Sequence, residues 1–146
     1  MRRKDISHIM EIVDYLNSTV FCKIGASPIH NVGVFAIRDI PKGQELTDYK
    51  GGPFNCYALT EQAFAQLAPE VQALIQQQTI FQKGELLKFD SPNCHQIVEV
   101  FMNHSTEPNS DGTVTLREVM KGEELTKDYD VFINSNHPKT KEIFNV

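Results

Sequence analysis

The sequence predicts a mainly β protein of the α+β class, in which one helix precedes the strands and a helical insert interrupts them. Short apolar segments alternate with turn residues over most of the chain, and helix-forming residues are concentrated in two places. Strands and helices do not alternate regularly, which argues against a doubly wound parallel sheet. The length of 146 residues suits a single domain with a substantial core.

The first predicted elements are a helix and three short strands. Apolar residues recur at three- and four-residue spacing over residues 5–16, which predicts an amphipathic helix. The segment STVFCKIG then predicts a strand, and GVFAIRDI predicts a second strand that ends at a turn containing Pro41 and Gly43. ELTDYKGG predicts a third strand that ends in a glycine pair.

The helical insert covers residues 60–78 and is rich in alanine, glutamine, glutamate and leucine. Pro69 divides it and is expected at the first position of its second helix. Next, TIFQKGELLKF predicts a hairpin that turns at Lys83 and Gly84. QIVEVFM is either an apolar strand or a buried helical turn, since periodicity does not decide between them. TVTLREV and LTKDYDVF predict two further strands, joined by the turn MKGEE.

Charge and cysteine content exclude several classes of function. The net charge is −5 and Lys and Arg do not cluster beyond residues 2–4, which argues against direct nucleic-acid binding and fits a basic protein partner. Cys22, Cys56 and Cys94 form no C-x-x-C pair, so neither a cysteine zinc site nor a disulfide framework is expected. No dinucleotide or P-loop glycine motif is present.

Targeting signals are also not expected. Glu11 and Asp14 interrupt the apolar residues of the N-terminal segment, so it does not resemble a signal peptide. No apolar run reaches membrane-spanning length. An intracellular protein without membrane contact is therefore the expectation.

Three segments, taken together, resemble the SET-domain family of protein lysine methyltransferases. They are NVGVFAIRDIPKGQEL (residues 31–46), FMNHSTEPN (residues 101–109) and KGEELTKDY (residues 121–129). Each alone is a weak signal, but their order, with a helical insert between the first two, is specific. The resemblance implies a SET domain over residues 19–132, after an N-terminal helix (1–18) and before a C-terminal tail (133–146).

The fold implied by the resemblance has several small sheets around a knot-like crossing, at which the second and third segments meet. Irregular backbone at such a crossing buries amide and carbonyl groups that need side-chain partners. Asn103, His104, Ser105 and Asn109 can supply these partners. For Ser105 and Asn109 we expect this structural role rather than a catalytic one.

The activity implied by the resemblance is S-adenosylmethionine-dependent methyl transfer to the side-chain amine of a lysine in a protein substrate. The attacking amine must be neutral, and because a free lysine has a pKa of about 10.4, the site must favour its deprotonation. Tyr129 matches the tyrosine whose hydroxyl orients the lysine and the sulfonium methyl; otherwise it is a core tyrosine after a strand. The alternative for the chain is a catalytically altered or inactive SET-fold protein that acts as a protein-interaction module.

The implied cofactor is S-adenosylmethionine, which the segment NVGVF would approach closely at Gly33. The family usually has another glycine where this chain has Asn31, and asparagine tolerates left-handed backbone better than other non-glycine residues. Tyr49 matches a tyrosine that commonly touches the cofactor, although an ordinary surface strand explains it equally well. No metal is implied, since the tail has no cysteine. The implied cofactor-binding residues are Asn31, Val32, Gly33, Val34, Phe35, Tyr49, Asn103 and His104.

The implied substrate channel contains Lys127 and Phe132. Side chains at i and i+2 of a strand share a face, so Lys127 is expected to face the site with Tyr129. Family members often have phenylalanine or tyrosine there, and a lysine puts a cation where the substrate's cation must enter. Alternatively, Lys127 turns to solvent at a bulge or pairs with a neighbouring acid. The expected partner is a protein with a target lysine, for which a basic, histone-like protein is one candidate; the oligomeric state is not predicted. The neighbouring acids are Glu123, Glu124 and Asp128.

Overall fold

The structure, a computed structural model, describes residues 3–47, 53–54, 56–78, 80–92 and 98–130. These residues form a mainly β, α+β fold with small sheets, an N-terminal helix and a helical insert, which confirms the predicted class. In chain order the elements are α1 (Arg3–Thr19), β1 (Cys22–Ala26), β2 (Val32–Ala36), β3 (Tyr57–Thr60), α2 (Glu61–Phe64), α3 (Pro69–Gln76), β4 (Phe81–Lys83), β5 (Leu86–Phe89), β6 (Asn103–His104) and β7 (Glu124–Lys127).

The predicted N-terminal helix is confirmed as α1. From Ile9 onward its apolar side chains lie on one face toward the core, where Ile12 and Leu16 are at most 1% exposed. Glu11 and Asp14 lie on the opposite, exposed face. At the last residue of the helix, the Thr19 hydroxyl donates to a backbone carbonyl one turn earlier, at 2.6 Å.

The larger sheet has the strand order β1-β2-β7-β6. β1 and β2 form an antiparallel hairpin, and β2 also pairs antiparallel with β7, with Val34 opposite Leu125. β6 pairs parallel with β7, with Asn103 opposite Thr126. The sheet therefore places strands from three distant parts of the sequence side by side.

The smaller sheet is antiparallel, with the order β3-β5-β4, and the helical insert lies between its first two strands in the sequence. Thr60 begins the insert by capping α2, because its hydroxyl oxygen accepts a hydrogen bond from the Ala63 amide at 3.1 Å. Pro69 is the first residue of α3, as predicted. The predicted hairpin also forms, with Gly84 in left-handed backbone (φ 63°) between β4 and β5.

Three predicted strands are wrong over all or part of their length. TVTLREV forms isolated bridges instead of a strand, because its partner segment, residues 40–45, turns at Lys42 and Gly43 between the two bridged positions and interrupts the ladder. The described part of ELTDYKGG, residues 45–47, contributes one of these bridges. LTKDYDVF is extended only as far as Lys127, since Tyr129 and Asp130 have helical backbone. The bridges are Glu45–Val114, Ser110–Thr115 and Ile40–Val119.

The segment QIVEVFM, for which the sequence left two alternatives, forms a turn over its described residues 98–101. The Met102 amide donates to the Glu99 carbonyl at 3.3 Å. Val98 and Met102 are buried at 2% and 0% exposure, whereas Val100 and Phe101 are exposed. The turn therefore anchors the polar segment that follows it through two buried side chains.

Two apolar clusters form the core of the described residues. The first packs α1 against the insert and the smaller sheet, and it contains the fully buried Leu16, Leu59 and Ile75. The second lies on the larger sheet and contains the fully buried Met102 and Leu125. None of the described helices is long and apolar enough to cross a membrane.

Candidate functional site

The polar segment after Met102, residues 103–110, contacts β7 at two places. Its first two residues pair with β7 as strand β6, and Asn109 and Ser110 then hydrogen-bond to the backbone of β7. Asn109 lies beside β7, where its amide nitrogen donates to the Glu124 carbonyl at 2.8 Å and its amide oxygen accepts from the Thr126 amide at 2.9 Å. Ser110 then donates to the Thr126 carbonyl through both its amide (3.1 Å) and its hydroxyl (2.9 Å). These side chains satisfy buried backbone groups in place of a neighbouring strand. The expected structural role of Asn109 is therefore confirmed.

Tyr129 is fixed at both ends beside this crossing. Its backbone amide donates to Nδ1 of His104 at 3.0 Å, and its hydroxyl donates to the Met102 carbonyl at 2.5 Å. Burial raises the pKa of the Tyr129 phenol, so the phenol stays protonated at neutral pH. The residue is still 36% exposed, so the ring is accessible from solvent. The arrangement presents a phenolic oxygen and a carbonyl oxygen side by side, both able to contact a positively charged group.

His104 orients the backbone at Tyr129. Because its Nδ1 accepts the amide hydrogen, the neutral imidazole carries its proton on Nε2. The two rings lie 5.2 Å apart between centroids. Asp128 Oδ1 is 3.8 Å from the same Nδ1, and with Asp130 these residues offer ligand atoms within 4.8 Å of one another. The Nδ1 of His104 is used by the hydrogen bond from the Tyr129 amide.

Asn103 joins β6 to the turn that follows β1. Its amide nitrogen lies 2.9 Å from the Val32 carbonyl, 3.2 Å from the His30 carbonyl, 3.0 Å from Ser27 Oγ and 2.9 Å from Glu124 Oε2. Rotating the amide by 180° would set its oxygen against these acceptors, so the orientation is well determined. The side chain is only 6% exposed. Its amide nitrogen is thus used inside the protein, and a contact with cofactor stays a prediction.

The segment NVGVF divides into an exposed and a buried part. Asn31 adopts left-handed backbone (φ 40°), a conformation that asparagine tolerates better than other non-glycine residues. Asn31 and Val32 are exposed, whereas Val34 is buried in the second apolar cluster and Phe35 is partly buried. The exposed pair therefore offers side chains to a ligand, and the buried pair holds the strand in the core.

Gly33 is required by the protein's own packing. A Cβ on Gly33 would collide with Oε2 of Glu124 and lie 2.9 Å from its Cδ. The carboxylate of Glu124 also accepts hydrogen bonds from Ser27 Oγ (2.7 Å) and the Asn103 amide (2.9 Å). The close approach predicted at Gly33 is thus made by Glu124, and a close approach of cofactor there stays a prediction.

Sequence reasoning missed Glu124 and Ser27 as members of this site. In the sequence, Glu124 is only one of several acids that could neutralise Lys127. Alternation predicts that Glu124 shares a face with Thr126, but only the structure shows that this face is buried, with Thr126 7% exposed. Ser27 offers no signal in the sequence, since its contact with Glu124 spans 97 residues.

Lys127 lies on the same side of the chain as Tyr129, as predicted. Its Nζ is 5.8 Å from the centroid of the Tyr129 ring, within the range of a cation–π contact. The predicted reason was wrong, because the strand ends at Lys127 and the i, i+2 rule does not extend to Tyr129. Helical backbone at Tyr129 instead directs the ring back toward the lysine. The place of Lys127 in a substrate channel stays a prediction.

Two predicted site residues, Tyr49 and Phe132, lie outside the described residues. A separate open cavity of about 320 Å³ lies between α1 and the insert, and it contains none of the predicted site residues. It is lined by Ile9, Met10, Thr60, Gln62, Ala63, Gln66 and Glu85.

No family model and no curated protein matches the sequence. Among solved structures, the chain is similar to the Polycomb Repressive Complex 2 of Chaetomium thermophilum bound to GSK126, at 17% identity and a TM-score of 0.41. It is also similar to ctPRC2 in an autoinhibited conformation bound to S-adenosylmethionine, again at 17% identity and a TM-score of 0.41. The alignments cover 88% of this chain but only 18% and 17% of those chains. This chain thus spans less than a fifth of the length of these two chains.

Proposed function

We propose that this chain is an S-adenosylmethionine-dependent protein lysine N-methyltransferase of the SET type. The observation that carries the proposal is the meeting of β2, β6 and β7 next to Tyr129. Each of these strands comes from one of the three segments that resemble the SET family. A tyrosine held by its hydroxyl and its amide, at the junction of those segments, suits the orienting role that the resemblance implies.

The site chemistry suits a sulfonium cofactor and an amine substrate. S-Adenosylmethionine, when bound, supplies a methyl group on a positively charged sulfur. The Tyr129 hydroxyl and the Met102 carbonyl set two oxygen atoms 2.5 Å apart, and both oxygens can contact a polarised methyl or an ammonium group. Holding reactants in line can supply about 7–11 kcal/mol of a reaction barrier. We therefore assign Tyr129 a role in orientation; its phenol, protonated at neutral pH, is not the base.

Lys127 would favour the neutral form of the substrate amine. A second ammonium group at about 6 Å raises the energy of the charged substrate by about 3 kcal/mol at an effective dielectric near 20. That energy corresponds to about two pKa units for the substrate lysine. The same repulsion would weaken binding of the charged substrate. Lys127 would therefore lower the affinity for the substrate while raising the fraction of bound amine that is neutral and reactive.

The cofactor would lie along the edge formed by the turn after β1 and by β6. Asn31 and Val32 offer exposed side chains there, and Asn103 and His104 form β6, from which the Asn103 amide reaches the carbonyls of His30 and Val32. Tyr49 and Phe132 keep their predicted contacts with cofactor and substrate as part of this proposal. The substrate would be an intracellular protein with an accessible lysine, and a basic protein fits the net charge of −5.

Lys127 also favours a second candidate function. The Lys127 ammonium group is 5.8 Å from the Tyr129 ring centroid, which is near enough for it to compete with an incoming cation for the phenol. If it blocks that approach, the chain is a SET-fold interaction module that binds cofactor or protein without transferring a methyl group. The two functions differ in whether a bound methyl group is transferred.

Binding and transfer should therefore be measured separately. Calorimetry with S-adenosylmethionine and with its demethylated product tests binding. Radiolabelled S-adenosylmethionine and whole-cell protein extract, followed by gel separation, test transfer. Labelling by the wild type and by Tyr15→Phe, which alters a tyrosine in α1, together with loss of labelling by Tyr129→Phe, would support the methyltransferase.

Two other outcomes decide against it. A folded wild type that binds no cofactor at millimolar concentration overturns the proposal. Cofactor binding without labelling of any protein in the extract favours the interaction module.

A further inference from the structure

The carboxylate of Glu124 lies where four segments of the chain meet. Ser27 Oγ approaches both of its oxygens, at 2.7 and 2.9 Å, and the Asn103 amide nitrogen is 2.9 Å from Oε2. The third side is the Cα of Gly33, where a side chain would collide with the carboxylate. The acid is thus enclosed by donors and backbone from β2, β6 and the turn after β1, although it belongs to β7.

We propose that Glu124 is a positioning residue that holds the turn at residues 27–31 in its binding conformation. The assignment of a cofactor to this turn rests on the proposed function. The positional role itself rests on the contacts of the carboxylate with Ser27 and Asn103.

The turn needs such support because Asn31 has left-handed backbone, which is unfavourable for a residue with a Cβ. The Asn103 amide nitrogen contacts the carbonyls of His30 and Val32, one on each side of Asn31. Ser27 closes the turn through its amide, which donates to the Asn31 carbonyl at 3.0 Å. Glu124 bonds the side chains of both residues that make these contacts, Ser27 and Asn103.

The Ser27 hydroxyl shows how the carboxylate directs the turn. The Ser27 hydroxyl has one hydrogen, which it donates to the Glu124 carboxylate at 2.7 Å. The lone pairs of Oγ are then left to accept the Ile29 amide at 3.0 Å. Without the carboxylate, the hydroxyl hydrogen can rotate. The Ser27 oxygen then no longer keeps a lone pair directed at the Ile29 amide.

The same carboxylate is linked to the far side of the site. Asn103 is followed directly by His104, whose Nδ1 accepts the Tyr129 amide. Glu124 therefore supports the turn through Ser27 and Asn103, and it supports the start of β6, on which the placement of Tyr129 depends. Glu124 contacts Ser27 of the turn directly, but it reaches Tyr129 only through Asn103 and His104. Loss of Glu124 should therefore affect cofactor binding more than turnover.

The decisive variant is Glu124→Gln, which keeps the shape but replaces one acceptor oxygen by a donor. The new amide nitrogen faces either the Asn103 amide nitrogen, where two donors would meet, or the Ser27 hydroxyl, which would then accept from it in competition with the Ile29 amide; in both cases the hydrogen bonds lose the charge of the acceptor. The matched control is Glu123→Gln. Glu123 is the neighbouring acid, and it bonds Arg117 and the Met120 amide at the surface instead.

Hydrogen exchange tests the positional role without any cofactor. We expect the peptide containing residues 27–31 to exchange at least tenfold faster in Glu124→Gln than in wild type. The control Glu123→Gln should match wild type in this peptide. Unchanged exchange in Glu124→Gln overturns the positional role whatever the cofactor does.

Kinetics and calorimetry test the link to the cofactor. Glu124→Gln should raise the KM and the Kd for S-adenosylmethionine at least tenfold while kcat changes less than threefold. A purely structural defect would lower kcat in proportion to the unfolded fraction and leave KM unchanged, and that result overturns the link. If the wild type binds no cofactor, the proposed function fails, and the exchange experiment alone decides the positional role.

Discussion

Replacing Gly33 with alanine would drive a Cβ into Oε2 of Glu124 and place it 2.9 Å from Cδ of the same side chain. The backbone itself tolerates alanine, since Gly33 is not among the glycines with positive φ. The cost therefore comes from moving the carboxylate away from Ser27 and Asn103, which donate to it at 2.7 and 2.9 Å. Hydrogen bonds to a charged group contribute about 1.5–3 kcal/mol each.

The expected net loss is smaller than the sum of both bonds. A displaced carboxylate regains some water, and alanine stabilises by about 0.4–1 kcal/mol through the unfolded chain. We therefore expect Gly33→Ala to lower the free energy of unfolding by about 3 kcal/mol, measured by urea denaturation. A chain of this size should then melt about 6–12 °C lower. Gly25→Ala is the control, because its Cβ would meet only the Phe35 ring, at 3.2 Å, and should cost less than about 1 kcal/mol.

A double-mutant cycle identifies the cause. In a Glu124→Ala background, Gly33→Ala has no carboxylate to displace and meets only the Asn103 amide nitrogen, 3.0 Å from the added Cβ, so it should cost less than about 1 kcal/mol. If Gly33→Ala costs the same in both backgrounds, or nothing in either, the contact with Glu124 does not explain the glycine and the reasoning is refuted.

Three further predictions concern single side chains. Tyr129→Phe should lower turnover at least tenfold, a loss of about 1.4 kcal/mol of transition-state stabilisation, and should lower the free energy of unfolding by about 1 kcal/mol because the Met102 carbonyl loses its donor; unchanged turnover on an established substrate would exclude the orienting role. Lys127→Phe should tighten binding of a lysine peptide and shift the pH optimum upward, because removing a cation raises the pKa of the substrate amine; a variant identical to wild type in peptide affinity and pH profile would show that Lys127 does not act on the substrate. Burial raises the pKa of the Cys22 thiol to about 12, so stability should fall as the pH rises from about 9 toward 12, and in a Cys94→Ser background a thiol reagent at pH 8 should modify the exposed Cys56 but not Cys22; rapid modification of both thiols in the folded protein would contradict this.

Local patterns predicted the elements whose causes are local. The spacing of Ile12 and Leu16 located α1, and Pro69 located the start of α3. The strand predicted for TVTLREV failed because alternation does not show whether the partner segment runs straight beside it. Val114 and Val119 pair with Glu45 and Ile40, and the turn between these two partners interrupts the ladder.

The candidate site was predictable where a motif carried it and not where it depends on distant contacts. The resemblance to the SET family is sufficient to group Asn103, His104 and Tyr129 in one site. It does not include Ser27 and Glu124, whose contact joins positions 97 residues apart. A glutamate beside a charged turn looks solvated in sequence, and only tertiary packing shows that a glycine opposite makes room for it.

The division of the core into two clusters has a consequence for the order of folding. The first cluster uses residues 9–89, so α1, the insert and the smaller sheet can pack while the ribosome is still adding the rest of the chain. The second cluster needs residues up to 125, and β7 must enter between β2 and β6, which makes its contacts non-local and slow to form. A variant that weakens the contacts between residues 103–110 and β7 would therefore leave a chain that keeps most of its helical circular-dichroism signal but has no assembled site. Circular dichroism alone would report such a chain as folded.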